Sequence, residues 1–124
     1  MHRNWLAFGA LLASLGVALG AFGAHALAER VTPDALVTWR TAAQYHQIHA
    51  VAIVVLASFH SSLGRISRFA LPLLATGTIL FGGSLYALVL TGQRLWGAVA
   101  PLGGASLIFG WILLSAVAWE RAEG

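Results

Sequence analysis

Three features of this 124-residue sequence predict an all-α integral membrane protein, a four-transmembrane-helix bundle: its composition, the spacing of its charges and the placement of its tryptophans. Hydrophobic residues make up 59% of the chain and charged residues 9%, where a soluble domain carries about a quarter charged residues. Seven arginines oppose four acids (Glu29, Asp34, Glu120 and Glu123), for a net charge of +3. The arginines are scattered singly rather than gathered on one face, which excludes nucleic acid as a partner. With no cysteine, disulfides, iron–sulfur ligation and thiol catalysis are excluded as well. The length predicts a single domain over residues 1–124.

The gaps between charges set the element count. Arg3 to Glu29 encloses 25 uncharged residues and Arg40 to Arg65 encloses 24; Arg68 to Arg94 and Arg94 to Glu120 each enclose 25. A bilayer core needs roughly 20 apolar residues in a helix. The predicted spans are therefore Trp5–Leu27, Thr41–Phe59, Phe69–Leu90 and Trp96–Trp119. Four spans put Trp5 and Trp119 at one interface, and Trp39 and Trp96 at the other. That is the aromatic-belt arrangement. Arginines orient the chain by a narrow margin. Arg3, Arg65, Arg68 and Arg121 share the terminal side, against Arg30, Arg40 and Arg94, so the termini are expected in the cytoplasm.

The first span begins like a secretion signal, with Arg3 before an apolar run and Ala24-His25-Ala26 after it. The run is too long and too rich in glycine for a signal h-region. Within it Gly9, Ala13, Gly16, Gly20 and Gly23 follow a 4-3-4-3 spacing, one continuous stripe of small residues. Such stripes let helix backbones approach in a membrane. The stripe is expected to pack within the chain rather than form a homodimer seam. In the outer connection, Thr32-Pro33-Asp34 reads as a helix start: a hydroxyl N-cap, proline at the first position and an acid in the first turn. A helix from Pro33 to Phe59 is about 40 Å long. That exceeds the hydrocarbon thickness and predicts an amphipathic N-terminal extension of the second helix. His60 to Arg68 is expected as a return loop carrying Gly64, and Thr91 to Arg94 as a tight turn. Gly77 and Gly83 of the third span and Gly103, Gly104 and Gly110 of the fourth complete the packing set. Pro101 is expected to kink the fourth helix.

Chemistry concentrates in the second span, where Gln44, Tyr45, His46, Gln47 and His49 fall together. Tyr45 and His49 are four apart and share a face, with His46 adjoining. Ionisable groups inside a membrane are costly and default to functional sites. The candidate ligand site comprises His25, Gln44, Tyr45, His46 and His49, joined by Ser84 and Tyr86 of the third span. His49 is expected to bond across to Ser84 or Tyr86. A metal or haem would use His25, His46 and His49, but no span holds a carboxylate and no CxxCH motif exists. No GxSxG, HExxH or paired carboxylates point to catalysis, so no catalytic residue and no bound cofactor are predicted.

The runs Gly20-Ala21-Phe22-Gly23-Ala24-His25-Ala26-Leu27, Tyr45-His46-Gln47-Ile48-His49-Ala50, Leu80-Phe81-Gly82-Gly83-Ser84-Leu85-Tyr86 and Leu90-Thr91-Gly92 stand in one order. Pro101-Leu102-Gly103-Gly104 and Gly110-Trp111 follow. In these motifs, over essentially the whole chain, the sequence resembles the bacterial domain-of-unknown-function-423 family. These are the YgdD/YwdK-like small membrane proteins, with a eukaryotic relative called transmembrane protein 256. Ala100 stands where the family commonly has threonine before the proline, and His46 where it often has glutamine. The resemblance implies a four-helix, multi-pass protein of the bacterial inner membrane and implies no activity. The expected role is a non-catalytic accessory bundle whose partners are membrane lipids, another protein or further copies of itself. The alternatives are a quinone-, haem- or metal-binding protein using the outer-side histidines and Trp39, or a dual-topology small channel or exporter.

Overall fold

The computed structural model describes residues 2–123, with side chains as far as 119; Arg121, counted above toward the orientation, lies outside the described side chains. Helix α1 (His2–Phe22) runs directly into a π-helical turn, Gly23–Leu27. α2 (Pro33–Ser58) follows, then a single turn α3 (His60–Leu63), a 3₁₀ turn (Gly64–Ile66), α4 (Ser67–Thr91) and α5 (Leu95–Glu123). Among the described residues there is no strand. The protein is all-helical, with four long helices.

Local chemistry sets the boundaries. The Thr32 hydroxyl accepts from the Ala35 amide at 3.2 Å, with Pro33 opening the first turn of α2 and Asp34 inside it. α4 ends at Gly92, whose left-handed φ of 69° suits a residue without a Cβ. Its amide returns to the Leu88 carbonyl at 2.8 Å. The connection from His60 to Arg68 is helical rather than a loop. There the Ser67 hydroxyl donates to the Gly64 carbonyl at 2.8 Å and meets His60 Nδ1 at 2.9 Å. These bonds satisfy a chain reversal that the sequence marks only by Gly64, at φ 59°.

α2 and α4 form the central pair; α1 lies on α2, and α5 on α4. Two apolar clusters result. One gathers Leu27, Trp39, Ala42, Ala43 and Tyr86. The other gathers Ile53, Leu71, Leu74, Ala75 and Leu107. The glycines of the α1 stripe face α2. A Cβ on Gly9 would stand 2.9 Å from Val54 Cγ2, one on Gly16 2.9 Å from Gln47 Cγ, and one on Gly20 2.8 Å from Gln47 Nε2. A Cβ on Gly23 would strike the Trp39 ring. Between α4 and α5, a Cβ on Gly77 or Gly110 would meet Leu107 or Leu74 at 2.7–2.8 Å, and one on Gly103 would enter the Phe81 backbone. Two positions correct the expected packing set. Gly83 faces open space and Gly104 touches only Phe81 Cδ2 at 3.9 Å, because both lie over grooves rather than helix contacts. α5 runs on as helix through Pro101, which is exposed, and α4 likewise holds Pro72.

Among the described residues, three stretches are long and apolar enough to cross a membrane: His2–Leu27, His60–Thr91 and Leu95–Trp119. α2 has the length but is not among them, since Gln44, His46, Gln47 and His49 dilute its apolar residues. The expectation of four apolar spans therefore holds for three helices by composition. Trp39 also departs from expectation. It is 1% exposed and belongs to the core rather than to a lipid-facing belt.

Candidate functional site

The polar residues of α2 are a hydrogen-bonding hub that reaches each of the other long helices. Toward α1, Trp39 Nε1 donates to the Leu19 carbonyl at 2.8 Å, His46 Nε2 to Leu12 at 2.7 Å and Gln47 Nε2 to Gly16 at 2.8 Å. These carbonyls belong to helical residues, and each spends a second lone pair on the neighbour. The glycine stripe makes this geometry accessible, because missing Cβ atoms let long polar side chains reach backbone.

Toward α4, His46 Nδ1 lies 3.0 Å from the Tyr86 hydroxyl. A carbonyl only accepts, so His46 Nε2 carries the proton and the Tyr86 hydroxyl donates to Nδ1. His49 uses the opposite tautomer. Its Nδ1 donates to the Tyr45 carbonyl at 2.7 Å, and its Nε2 accepts from Trp111 Nε1 on α5 at 3.0 Å. Indole donates only, so Nε2 of His49 is bare. His46 and His49 are 4% and 7% exposed, and no buried polar side-chain atom lacks a partner among the described residues.

The expected site is thus divided. His46 and Tyr86 are brought together; Tyr45 and His49 stack at 6.0 Å and 12°. Ser84 bonds within its own helix, to the Phe81 carbonyl at 3.0 Å, so the expected partner of His49 is corrected to Trp111. Gln44 is exposed on the far face of α2. His25 is exposed in the π-helical turn and takes no part in the hydrogen bonds of His46 and His49. All four ring nitrogens of His46 and His49 are engaged, so a metal or haem iron would have to break a hydrogen bond at each. No group of three or more His, Cys, Asp or Glu converges among the described residues. The donor set does not fit a metal.

Trp111 is the member that sequence reasoning missed. Trp111 stands fifteen residues beyond Trp96, too deep in the span for an interfacial belt, and that depth was the available signal. The accepting carbonyls of Leu12, Gly16 and Leu19 carry no residue signature at all.

Two grooves on the α5 side of the bundle are of different chemistry. One, of about 560 Å³, follows α4 and α5 past Phe69, Pro72, Leu73, Ser106 and Leu113, with Arg68 at its end. The other, of about 380 Å³, lies between α2 and α5 over Tyr45, His49 and Trp111.

Known proteins resemble this chain along most of its length. UPF0382 membrane protein YwdK of Bacillus subtilis is 39% identical over 114 residues, covering 90% of this chain and 93% of its own. UPF0382 inner membrane protein YgdD of Escherichia coli K12 is 39% identical over 113 residues, covering 90% and 86%. A Staphylococcus aureus UPF0382 membrane protein, SAB0533, is 36% identical over 112 residues, covering 90% and 92%. No solved structure matches. Since the family model described as "Protein of unknown function (DUF423)" also matches residues 19–104, the chain belongs to that family of membrane proteins.

Proposed function

We propose that this protein is a single-domain, four-span protein of the bacterial inner membrane with cytoplasmic termini. In this reading it acts without catalysis, as an accessory bundle that holds an anionic phospholipid. The observation that carries the lipid reading is the α4/α5 groove. Its walls are apolar along two helical turns of α4, and Arg68 stands at the end where α4 begins. An acyl chain fits the walls and a phosphate fits the guanidinium. Arg65, one turn before, adds a second positive charge on the same side of the membrane.

Support for the fourth span comes from α2 itself. It buries His46 and His49 while exposing Ile48, Val51 and Val55 by about half. Water selects the reverse pattern; lipid selects this one. Large exposed side chains on the other three long helices, such as Leu11, Phe69 and Ile108, extend the same apolar surface.

Native mass spectrometry of the protein released from mixed phosphatidylethanolamine and phosphatidylglycerol tests the reading. The expected result is retained phosphatidylglycerol on the wild type and several-fold less on Arg68→Gln. A ligand-free monomer in every detergent and lipid condition overturns it.

A further inference from the structure

The second groove differs in chemistry from the first. We propose that it binds a lipid-soluble molecule with a flat, carbonyl-bearing ring, the quinone class. α2 and α5 both rest on α4, and the Trp111–His49 hydrogen bond crosses between them. The space over that bond is walled by rings. Tyr45 lies parallel to His49, packs on Phe81 at 4.8 Å, and Trp111 stands edge-on to His49 at 5.9 Å. Gly104, Leu107 and Ile108 line the α5 side. Aromatic walls favour a planar guest by stacking and edge contacts.

The polar requirement comes from Tyr45. Its hydroxyl makes no hydrogen bond among the described residues, although the side chain lies against the groove and is only 44% exposed. The contrast is Tyr86, whose hydroxyl is held by His46. A phenol facing hydrocarbon without a partner is costly, so a guest that offers an acceptor gains a hydrogen bond with no competing protein group. Nothing else in the groove offers that, since the His49 and Trp111 nitrogens already satisfy one another.

Depth selects the class. Counted along the helices, His49 lies about 12 Å inside Thr41, where the expected second span begins, and Trp111 about 12 Å inside Trp119, where the fourth ends; Tyr45 stands one turn to the outer side of that pair. Phospholipid esters and phosphates stay at the membrane boundary, whereas a quinone ring travels within the hydrocarbon. This step rests on the reading of α2 and α5 as spans, and it is independent of Arg68 and the lipid groove.

The test is tryptophan quenching by decylubiquinone of the purified protein in phosphatidylcholine nanodiscs, with decylbenzene as the ring without a carbonyl. The expected result is saturable quenching that Tyr45→Phe weakens by roughly three- to tenfold, the worth of one neutral hydrogen bond. Gly104→Leu, which fills the groove from a position whose Cβ has room, should abolish it. Arg68→Gln should leave it unchanged, which separates a failure here from a failure of the lipid reading. Non-saturable quenching, equal affinity for decylbenzene, or equal affinity of Tyr45→Phe and wild type would each overturn the proposal.

Discussion

His46 and His49 sit three residues apart on one helix, yet their protons are on opposite ring nitrogens. Partner chemistry alone decides this. His46 Nε2 meets a carbonyl, while His49 Nε2 meets an indole N–H, so neither ring can adopt the other's tautomer. Trp111→Phe leaves His49 Nε2 without a donor, and His49→Leu leaves the Trp111 N–H without an acceptor. Hydrogen bonds between membrane helices average under 1 kcal/mol in coupling. A double-mutant cycle on this pair, read by unfolding in mixed micelles, should therefore give about 0.5–1 kcal/mol with insertion intact. Additive single effects would show that the bond contributes nothing. The buried part of the cluster, His46 and His49 with Gln47 beside them, was legible in the sequence, because titratable side chains inside an apolar window are costly to leave facing lipid. Gln44 and Tyr45 stay exposed. The partners were not legible. Naming Trp111 needs the register of α5 against α2, which neither helix's own periodicity contains.

At the scale of elements, the small-residue stripe and the α2 cap were readable because each depends on local spacing. Gly9 to Gly23 face one neighbour, and Thr32 caps where a hydroxyl before Pro33 should. The pair Gly103 and Gly104 was less readable. Adjacent glycines look alike in sequence, yet a helix turns each by about 100°, so one enters α4 and the other overlooks a groove. That difference is testable. Gly103→Ala puts a methyl into the Phe81 backbone, which has no rotamer to yield. Forcing α4 and α5 apart should cost about 1–3 kcal/mol. Gly104→Ala meets only ordinary contact at 3.9 Å and should be neutral or stabilising by up to about 1 kcal/mol, as alanine favours helix. Equal thermal shifts for the two variants would contradict the α4/α5 contact. The helical turns of the 60–68 connection are not legible in the sequence, because Gly64 signals a break while the Ser67–His60 bond that holds the reversal leaves no local pattern.

For the whole molecule, the order α1, α2, α4, α5 across the fold places the least apolar helix between two others. This arrangement lets α2 carry five polar residues in its middle without presenting His46 or His49 to lipid. It also explains why composition alone finds three spans where charge gaps find four. The two counts differ in one measurable respect: if α2 crosses the bilayer, Glu29 and Ser62 lie on opposite sides, and if it does not, they share one. The chain has no cysteine, so single cysteines report without background. In intact cells, Glu29→Cys and Gln93→Cys should react with a membrane-impermeant maleimide. Ser62→Cys should react only after permeabilisation. All three positions are exposed. Labelling of Glu29→Cys and Ser62→Cys from the same side would remove the fourth span. With it would go the mid-membrane depth assigned to His49 and Trp111. Partial labelling of every position from both sides would instead reveal two orientations, the outcome expected of a dual-topology channel or exporter. An arginine balance of four against three biases insertion only slightly. Moving one charge, by Arg3→Gln with Gln93→Arg, should therefore shift the labelling ratio measurably.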